Sequence, residues 1–302
     1  MSQTETKFDV VVIGGSFAGL SAAMQLARAR RQVLVIDAGE PRNRFSPHSH
    51  GFFGMDGWAP ADMLAQARSQ LLTYPTVRFV EGTAVSASGK LDGFQVGLAD
   101  NQAFTGRRLI LASGVRDRLP DIAGIGDFWG KSVLHCPYCH GYEIRGERLG
   151  VLGRTAGSLH QARLVTDWGK VTFFREQGIA FDPIDLMALE QAGVTIEMSP
   201  IRKLVGANGQ IEQVALEDGR RIELEALFIA PKSEISSPLT EALELETTEG
   251  MGGPGLVVNS LKETSVPGVF AAGDMVAGPQ NATLASAAGV LAGVSAHQSL
   301  VF

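Results

Sequence analysis

The sequence predicts an α/β protein with parallel sheets, and three observations carry that prediction. A strand, a glycine turn, a helix and a second strand follow one another in FDVVVIGGSFAGLSAAMQLARARRQVLVIDAG. The same order recurs from Arg148 in RLGVLGRTAGSLHQARLVTDWGKVTFFRE. Short strand-like segments follow each pattern, and the chain returns through GLVV and TSVPGVFAAGD to a last apolar helix. Apolar runs of strand length alternating with helix-period segments are the mark of βαβ units. The expected architecture is two Rossmann-like dinucleotide-binding domains, the second inserted into the first. Residues 1–116 open the first domain, 117–240 form the insertion, and 241–302 return to the first.

The first βαβ unit has the parts that a dinucleotide needs. Its strand, Phe8 to Ile13, is apolar apart from Asp9 near its start, as the interior of a strand buried on both faces must be. Gly14 permits the tight turn that follows. Gly19 lets the helix, Phe17 to Arg30, pack closely on the strand, so that the helix N-terminus points its free N–H groups at a pyrophosphate. The next strand ends at Asp37, placed to accept from a ribose hydroxyl. Ser16 stands where the GxGxxG pattern has its middle glycine.

From Ala38 to Trp58 the chain reads as a loop. His48 and His50, in FSPHSHGFFG, read as polar loop residues rather than contacts of a flavin or substrate cleft. Phe52, Phe53, Trp58 and Trp129 read as core aromatics rather than a cleft lining. A helix-like stretch over 59–73 and short alternating strands lead to RRLILASG, which ends at Gly114.

The only two cysteines fall in HCPYCHGYE, residues 135–143. Their spacing leaves three chemistries open: c-type haem attachment, half of a zinc site, or a redox dithiol. Haem attachment of that kind follows export, and no export signal is read in MSQTETKFDV and the short apolar run behind it. A closed zinc site needs four ligands, and no second Cys or Cys/His pair stands elsewhere. The same N-terminus points to the cytoplasm, where exposed thiols are kept reduced and a structural staple is not expected.

The second βαβ unit keeps the order but alters the turn. Gly153 and Gly157 are present, while Thr155 stands at the middle position, where a Cβ crowds a pyrophosphate. The following strand runs out through Phe173, Phe174, Arg175 and Glu176, with one Arg, no basic cluster for a 2′-phosphate, and no terminal acid comparable to Asp37. The unit reads as scaffold, or else as a weak nicotinamide nucleotide site. Strands over 194–224 and in ALFIAPK precede the last helix, 282–298. Its ASAAGVLAGVSA run is well short of the roughly 20 residues that span a bilayer, so Gly289 and Gly293 mark a close helix contact.

At 302 residues the chain is long enough for two compact domains. A net charge of -6 without a Lys/Arg cluster argues against nucleic acid or an anionic membrane as partner.

The order GGSFAG, LILASG, CPYC, a second βαβ unit and TSVPGVFAAGDM resembles the low-molecular-weight thioredoxin reductases over nearly the whole chain. The resemblance implies FAD, held by the first and last segments through Gly14, Ser16, Gly19, Asp37, Gly114, Gly273 and Asp274, with Asn281, Ala282 and Thr283 approaching the ring. It implies that Cys139 faces the flavin and Cys136 exchanges with the external substrate, and that the protein is a homodimer. Three departures stand out: His140 follows the second cysteine where the reductases have Asp, the second turn has lost its glycine, and Pro279, Gln280, Asn281 and Ala282 replace an Arg-Gln-Ala segment.

In these respects CPYCHGYE is most similar to the thioredoxin reductase-like dithiol oxidases, which close the disulfides of small natural products such as gliotoxin, holomycin and romidepsin. What that implies is a small-molecule dithiol as substrate, dioxygen as acceptor, and Cys136, Cys139 and His140 as catalytic residues, with His140 as acid/base group. A thioredoxin or disulfide reductase driven by NADPH, ferredoxin or a second flavin is the alternative. A flavin-bound redox sensor without turnover is a third reading, disfavoured by the intact CxxC beside a histidine.

Overall fold

A computed structural model of the chain describes residues 7–144, 148–250 and 252–302. The polar segment over 1–6, part of the N-terminus read above for export, lies outside the described residues. The chain divides into two units. The first holds the described residues up to Arg44, Pro60–Arg116 and Ser233–Phe302; the second holds Phe45–Ala59 and Asp117–Lys232. The chain thus passes into the second unit twice, over Phe45–Ala59 and over Asp117–Lys232. Phe45–Ala59 belongs to the second unit for a local reason. Gly130, at φ +76°, leaves the space that Phe45 takes: a Cβ there would lie 2.6 Å from Phe45 Cβ.

In the first unit β1 (Lys7–Ile13), α1 (Phe17–Arg28), β2 (Val33–Asp37), α2 (Pro60–Leu71), β3 (Val77–Glu81), β4 (Ala84–Ser88), β5 (Phe94–Leu98) and β6 (Ala103–Leu111) follow in order. The sheet runs β3-β2-β1-β6-β5-β4. β1 pairs in parallel with both β2 and β6, so both of its edges are taken, and its side chains alternate between apolar clusters on the two faces of the sheet. Val10 and Val12 enter one apolar cluster, Val11 and Ile13 the other. Fully burying each such side chain contributes about 1.5–3 kcal/mol. β6 serves three neighbours: Ala103–Gly106 is antiparallel to β5, and Leu109–Leu111 is parallel to the return strand, Val269–Ala271.

The last helix, Ala282–Gln298, buries Gly289 and Gly293. A Cβ on Gly289 would lie 2.1 Å from Ala18 O, and one on Gly293 2.5 Å from Ala22 O, so the glycines mark a close contact with α1, as read from the sequence. Among the described residues no helix is long and apolar enough to cross a membrane. Helix propensity alone makes Gly289→Ala stabilising by about 1 kcal/mol. We expect the opposite sign, a loss of about 1–3 kcal/mol from overpacking, visible as a lower unfolding midpoint.

The second unit has its own parallel sheet, in the order Thr195–Glu197, Lys170–Arg175, Arg148–Gly153, Ala226–Phe228, Val133–Leu134. Helix Ala156–Val165 connects its two central strands. A three-stranded antiparallel sheet over Ile201–Glu223 completes it.

Candidate functional site

In the first unit the turn after β1 admits only glycine. Gly14 has φ +110°, and a Cβ there would lie 2.2 Å from Ala112 O. A Cβ on Gly19 would lie 1.7 Å from Gly14 O, so the helix start sits against the turn. Ser16 is the N-cap of α1 in extended conformation, and its side chain makes no capping bond. The first-turn N–H groups therefore face outward without a cap from Ser16, the arrangement that suits a phosphate. Asp37 Oδ1 accepts from Gly15 N at 2.9 Å, tying the end of β2 to the turn. Gly114, at φ +68° with nothing within 4 Å of an added Cβ, follows β6. Gly273, at φ +80°, brings the end of the return strand within 3.0 Å of Ala18 Cβ for an added Cβ.

Asp274 has a partner that the sequence did not announce. Arg42 Nη1 donates to Asp274 Oδ2 at 2.8 Å and to Gln280 Oε1 at 2.7 Å. Gln280 Nε2 donates to Asp274 O at 2.9 Å. Arg42 lies in a short 3-10 turn, Arg42–Phe45, inside the stretch read as plain loop. Asn281 Oδ1 caps the last helix by accepting from Leu284 N at 2.7 Å, and Ala282 opens that helix. Asn281 is thus committed to the helix start.

In the second unit Cys136 and Cys139 are joined as a disulfide, with Cα atoms 5.3 Å apart. They bracket a one-turn helix, Pro137–His140, in which Cys136 is the N-cap and proline takes the first helical position, where its missing N–H costs nothing. Among the described residues no group of three or more His, Cys, Asp or Glu is placed to hold a metal.

His140 borders a cavity of about 370 Å³, together with His48, His50, Lys131, Glu143 and Glu225. The loop carrying the two other histidines closes on itself: Ser49 N donates to Trp58 O at 2.8 Å and Gly57 N to Ser49 O at 2.9 Å. His48 Nδ1 lies 3.1 Å from Gly57 O and braces the loop. His50 does more than the polar-loop reading expects, because its Nδ1 lies 3.3 Å from Glu143 Oε1 and 3.7 Å from Asp56 Oδ1. The aromatic reading divides. Trp129 packs against the core, whereas Phe53 is 96% exposed and Trp58 is exposed, since a self-closed loop leaves them no core to enter.

Burial holds the His140 pKa below the ordinary histidine value; His50 pushes it the same way and Glu143 opposes both. A lowered pKa keeps the ring neutral, and able to accept a proton, down to a lower pH than a free histidine. Removing His50 should therefore move the acid limb of the rate profile toward higher pH, and Glu143→Gln should move it toward lower pH. Shifts of the same sign in the two variants contradict this assignment.

The second βαβ turn is filled by its own side chains. Thr155 and Ser158 form a capping box at the start of helix Ala156–Val165, and Ser158 Oγ also accepts from Arg154 N at 3.1 Å. Glu176, one residue past its strand, is an acid at the strand end after all, but it accepts from Arg154 Nε at 2.8 Å. The Thr-x-x-Ser spacing was a legible capping signal; the Arg154–Glu176 pair was not, since it joins residues 22 apart.

Comparison with known proteins places these features in context. Residues 8–289 match the family described as pyridine nucleotide-disulphide oxidoreductase. The chain is 36% identical to thioredoxin reductase tcpT of Claviceps purpurea, over 99% of this chain and 96% of that protein. Among solved structures it superposes on an oxidoreductase from Agrobacterium tumefaciens with TM-score 0.94 and 44% identity, covering 98% of this chain and 99% of the other. HlmI matches with TM-score 0.89 and 35% identity, over 98% of this chain and 93% of the other.

Proposed function

Since the chain belongs to the pyridine nucleotide-disulphide oxidoreductase family and is thioredoxin reductase-like, we propose that it oxidises a small-molecule dithiol to its disulfide through Cys136 and Cys139, with dioxygen as the electron acceptor. The family's thioredoxin reductases are FAD-dependent flavoproteins, and the first unit fits that cofactor: a turn that only glycine can occupy and a helix start without a side-chain cap. Gly14, Ser16, Gly19, Asp37, Gly114, Gly273 and Asp274 would hold FAD, with Arg42 beside Asp274 and with Asn281 and Ala282 at the start of the last helix. As the resemblance implies, the protein acts as a cytoplasmic homodimer.

The observation that carries the choice of oxidase over NADPH-driven reductase is the self-filled turn of the second unit. Its helix start is capped by Thr155 and Ser158, and its strand-end acid is paired with Arg154. Charge-assisted contacts to a phosphate are each worth about 1.5–3 kcal/mol, so forgoing two of them weakens a nicotinamide nucleotide roughly a hundredfold or more. With that donor weakened, electrons enter from the dithiol.

The chain's own residues then do the following. A substrate thiolate attacks the Cys136–Cys139 disulfide at Cys136, and the Cys139 thiolate leaves. His140, whose partial burial favours the neutral ring, takes the proton of the attacking thiol. The second substrate thiolate displaces Cys136 from the mixed disulfide, which closes the substrate disulfide and leaves both cysteines reduced. FAD, held by the first unit, would supply the two-electron acceptor for the reduced cysteine pair, with dioxygen as the final acceptor. Overall, dithiol and dioxygen give disulfide and hydrogen peroxide.

The test is oxygen uptake by the flavin-loaded protein given a small dithiol and no nucleotide. One peroxide per disulfide is expected. Rapid NADPH-driven reduction of a thioredoxin, without dithiol-dependent oxygen uptake, would favour the reductase instead.

A further inference from the structure

The second βαβ unit grips the dithiol turn at both ends. Gln161, buried on helix Ala156–Val165, donates Nε2 to His135 O at 2.8 Å, the carbonyl just before Cys136. Past the end of that helix, Trp168 meets the other end of the turn. A Cβ on Gly141 would lie 2.8 Å from Cδ2 and Cε2 of the indole and 2.7 Å from Pro137 O. Gly141 has ordinary helical angles, φ -63° and ψ -32°, so its backbone does not require glycine; the neighbouring indole and carbonyl do. Tyr138, between the two cysteines, meets the same indole edge-on, with centroids 5.7 Å apart and planes at 90°.

We infer that Trp168, with Gln161, is a positioning residue that holds the Cys136–Cys139 turn in its disulfide-closing shape and so sets the exchange equilibrium of the pair. This rests on the reading of that pair as redox-active. An open dithiol gains backbone and side-chain freedom that it must give up again on closing. A clamp that restricts the open form raises the effective concentration of one thiol at the other and so favours the disulfide. On this account the glycine-turn helix, with its nucleotide-facing end filled by Thr155 and Ser158, has become a support for the dithiol.

The experiment equilibrates the flavin-loaded protein anaerobically with dithiothreitol buffers. Enzyme disulfide and reduced dithiothreitol give enzyme dithiol and oxidised dithiothreitol, two electrons and two protons passing to the protein. Acid quenching and thiol alkylation count the open pairs. Trp168→Ala is expected to shift this equilibrium toward the enzyme dithiol about tenfold, or about 30 mV for a two-electron couple. Gly141→Ala should shift it in the same direction by displacing the indole, as should Gln161→Leu, which keeps the buried volume but loses the donor to His135. Trp168→Phe, which keeps an aromatic face, should restore the constant to within about threefold of the parent.

Leu189→Ala serves as the structural control. Leu189 is buried in the apolar cluster against which Trp168 packs, and its loss should lower the unfolding midpoint while leaving the constant within about twofold. The proposal is overturned if Trp168→Ala and Gly141→Ala also stay within about twofold while losing stability. If Trp168→Ala fails to fold, Gly141→Ala and Gln161→Leu decide by the same criterion. A parent pair that does not equilibrate with dithiothreitol overturns the redox reading, and this proposal with it. That outcome is read on the parent alone, which separates the two failures.

Discussion

Replacing either cysteine is expected to abolish dithiol turnover, and the two replacements are expected to differ in colour. Turnover fails in both because the chain has only two cysteines, so no third thiol can complete the disulfide. The colour separates their roles. If Cys139 is the flavin-facing thiol, Cys136→Ser leaves a Cys139 thiolate beside oxidised flavin and gives a long-wavelength charge-transfer absorption. Cys139→Ser then gives none. An absorption confined to Cys139→Ser would reverse the two assignments, and its absence from both would remove Cys139 from the flavin altogether.

His140→Ala should lower dithiol turnover at neutral pH by about 100-fold or more, the usual worth of a positioned acid/base group. The pH dependence distinguishes this role from a merely structural one. A free thiol ionises near pH 8.5, so raising the pH past that point supplies the thiolate without help from a base. The deficit of His140→Ala should shrink over that range. A deficit of constant size from neutral to alkaline pH would mean that the ring supports the turn without moving a proton. Turnover within a few-fold of the parent throughout would remove the role.

The fold was legible where burial forces composition. β1 is apolar at every position from Val10 to Ile13 because it is covered on both faces, and the last helix occupies Ala282–Gln298, as the sequence suggested. Gly14 and Gly19 were legible because the turn leaves no space for a Cβ, a constraint that acts on the residue itself. Arg42 was hidden. Its partners Asp274 and Gln280 lie more than two hundred residues away in sequence, and nothing local in Pro41-Arg42-Asn43 points to them. His50 was passed over for the same reason: its contact with Glu143 depends on Phe45–Ala59 belonging to the second unit, which the linear order of a loop between two first-unit elements argues against. Thr155 was noticed as an obstacle to a pyrophosphate, but its bond to Ser158 gives the fuller account. A side chain that spoils a phosphate turn is also one that can cap the helix behind it.

The most direct test of the central claim is an anaerobic comparison of two electron donors on the oxidised, flavin-loaded protein. A small dithiol should bleach the flavin through the Cys136–Cys139 pair, and NADPH at equal concentration should leave it oxidised over the same interval, because Thr155, Ser158, Arg154 and Glu176 fill the second turn. Readmitted air should restore the colour with formation of peroxide. Prompt bleaching by NADPH with none by the dithiol would contradict the account and assign the chain to the reductases.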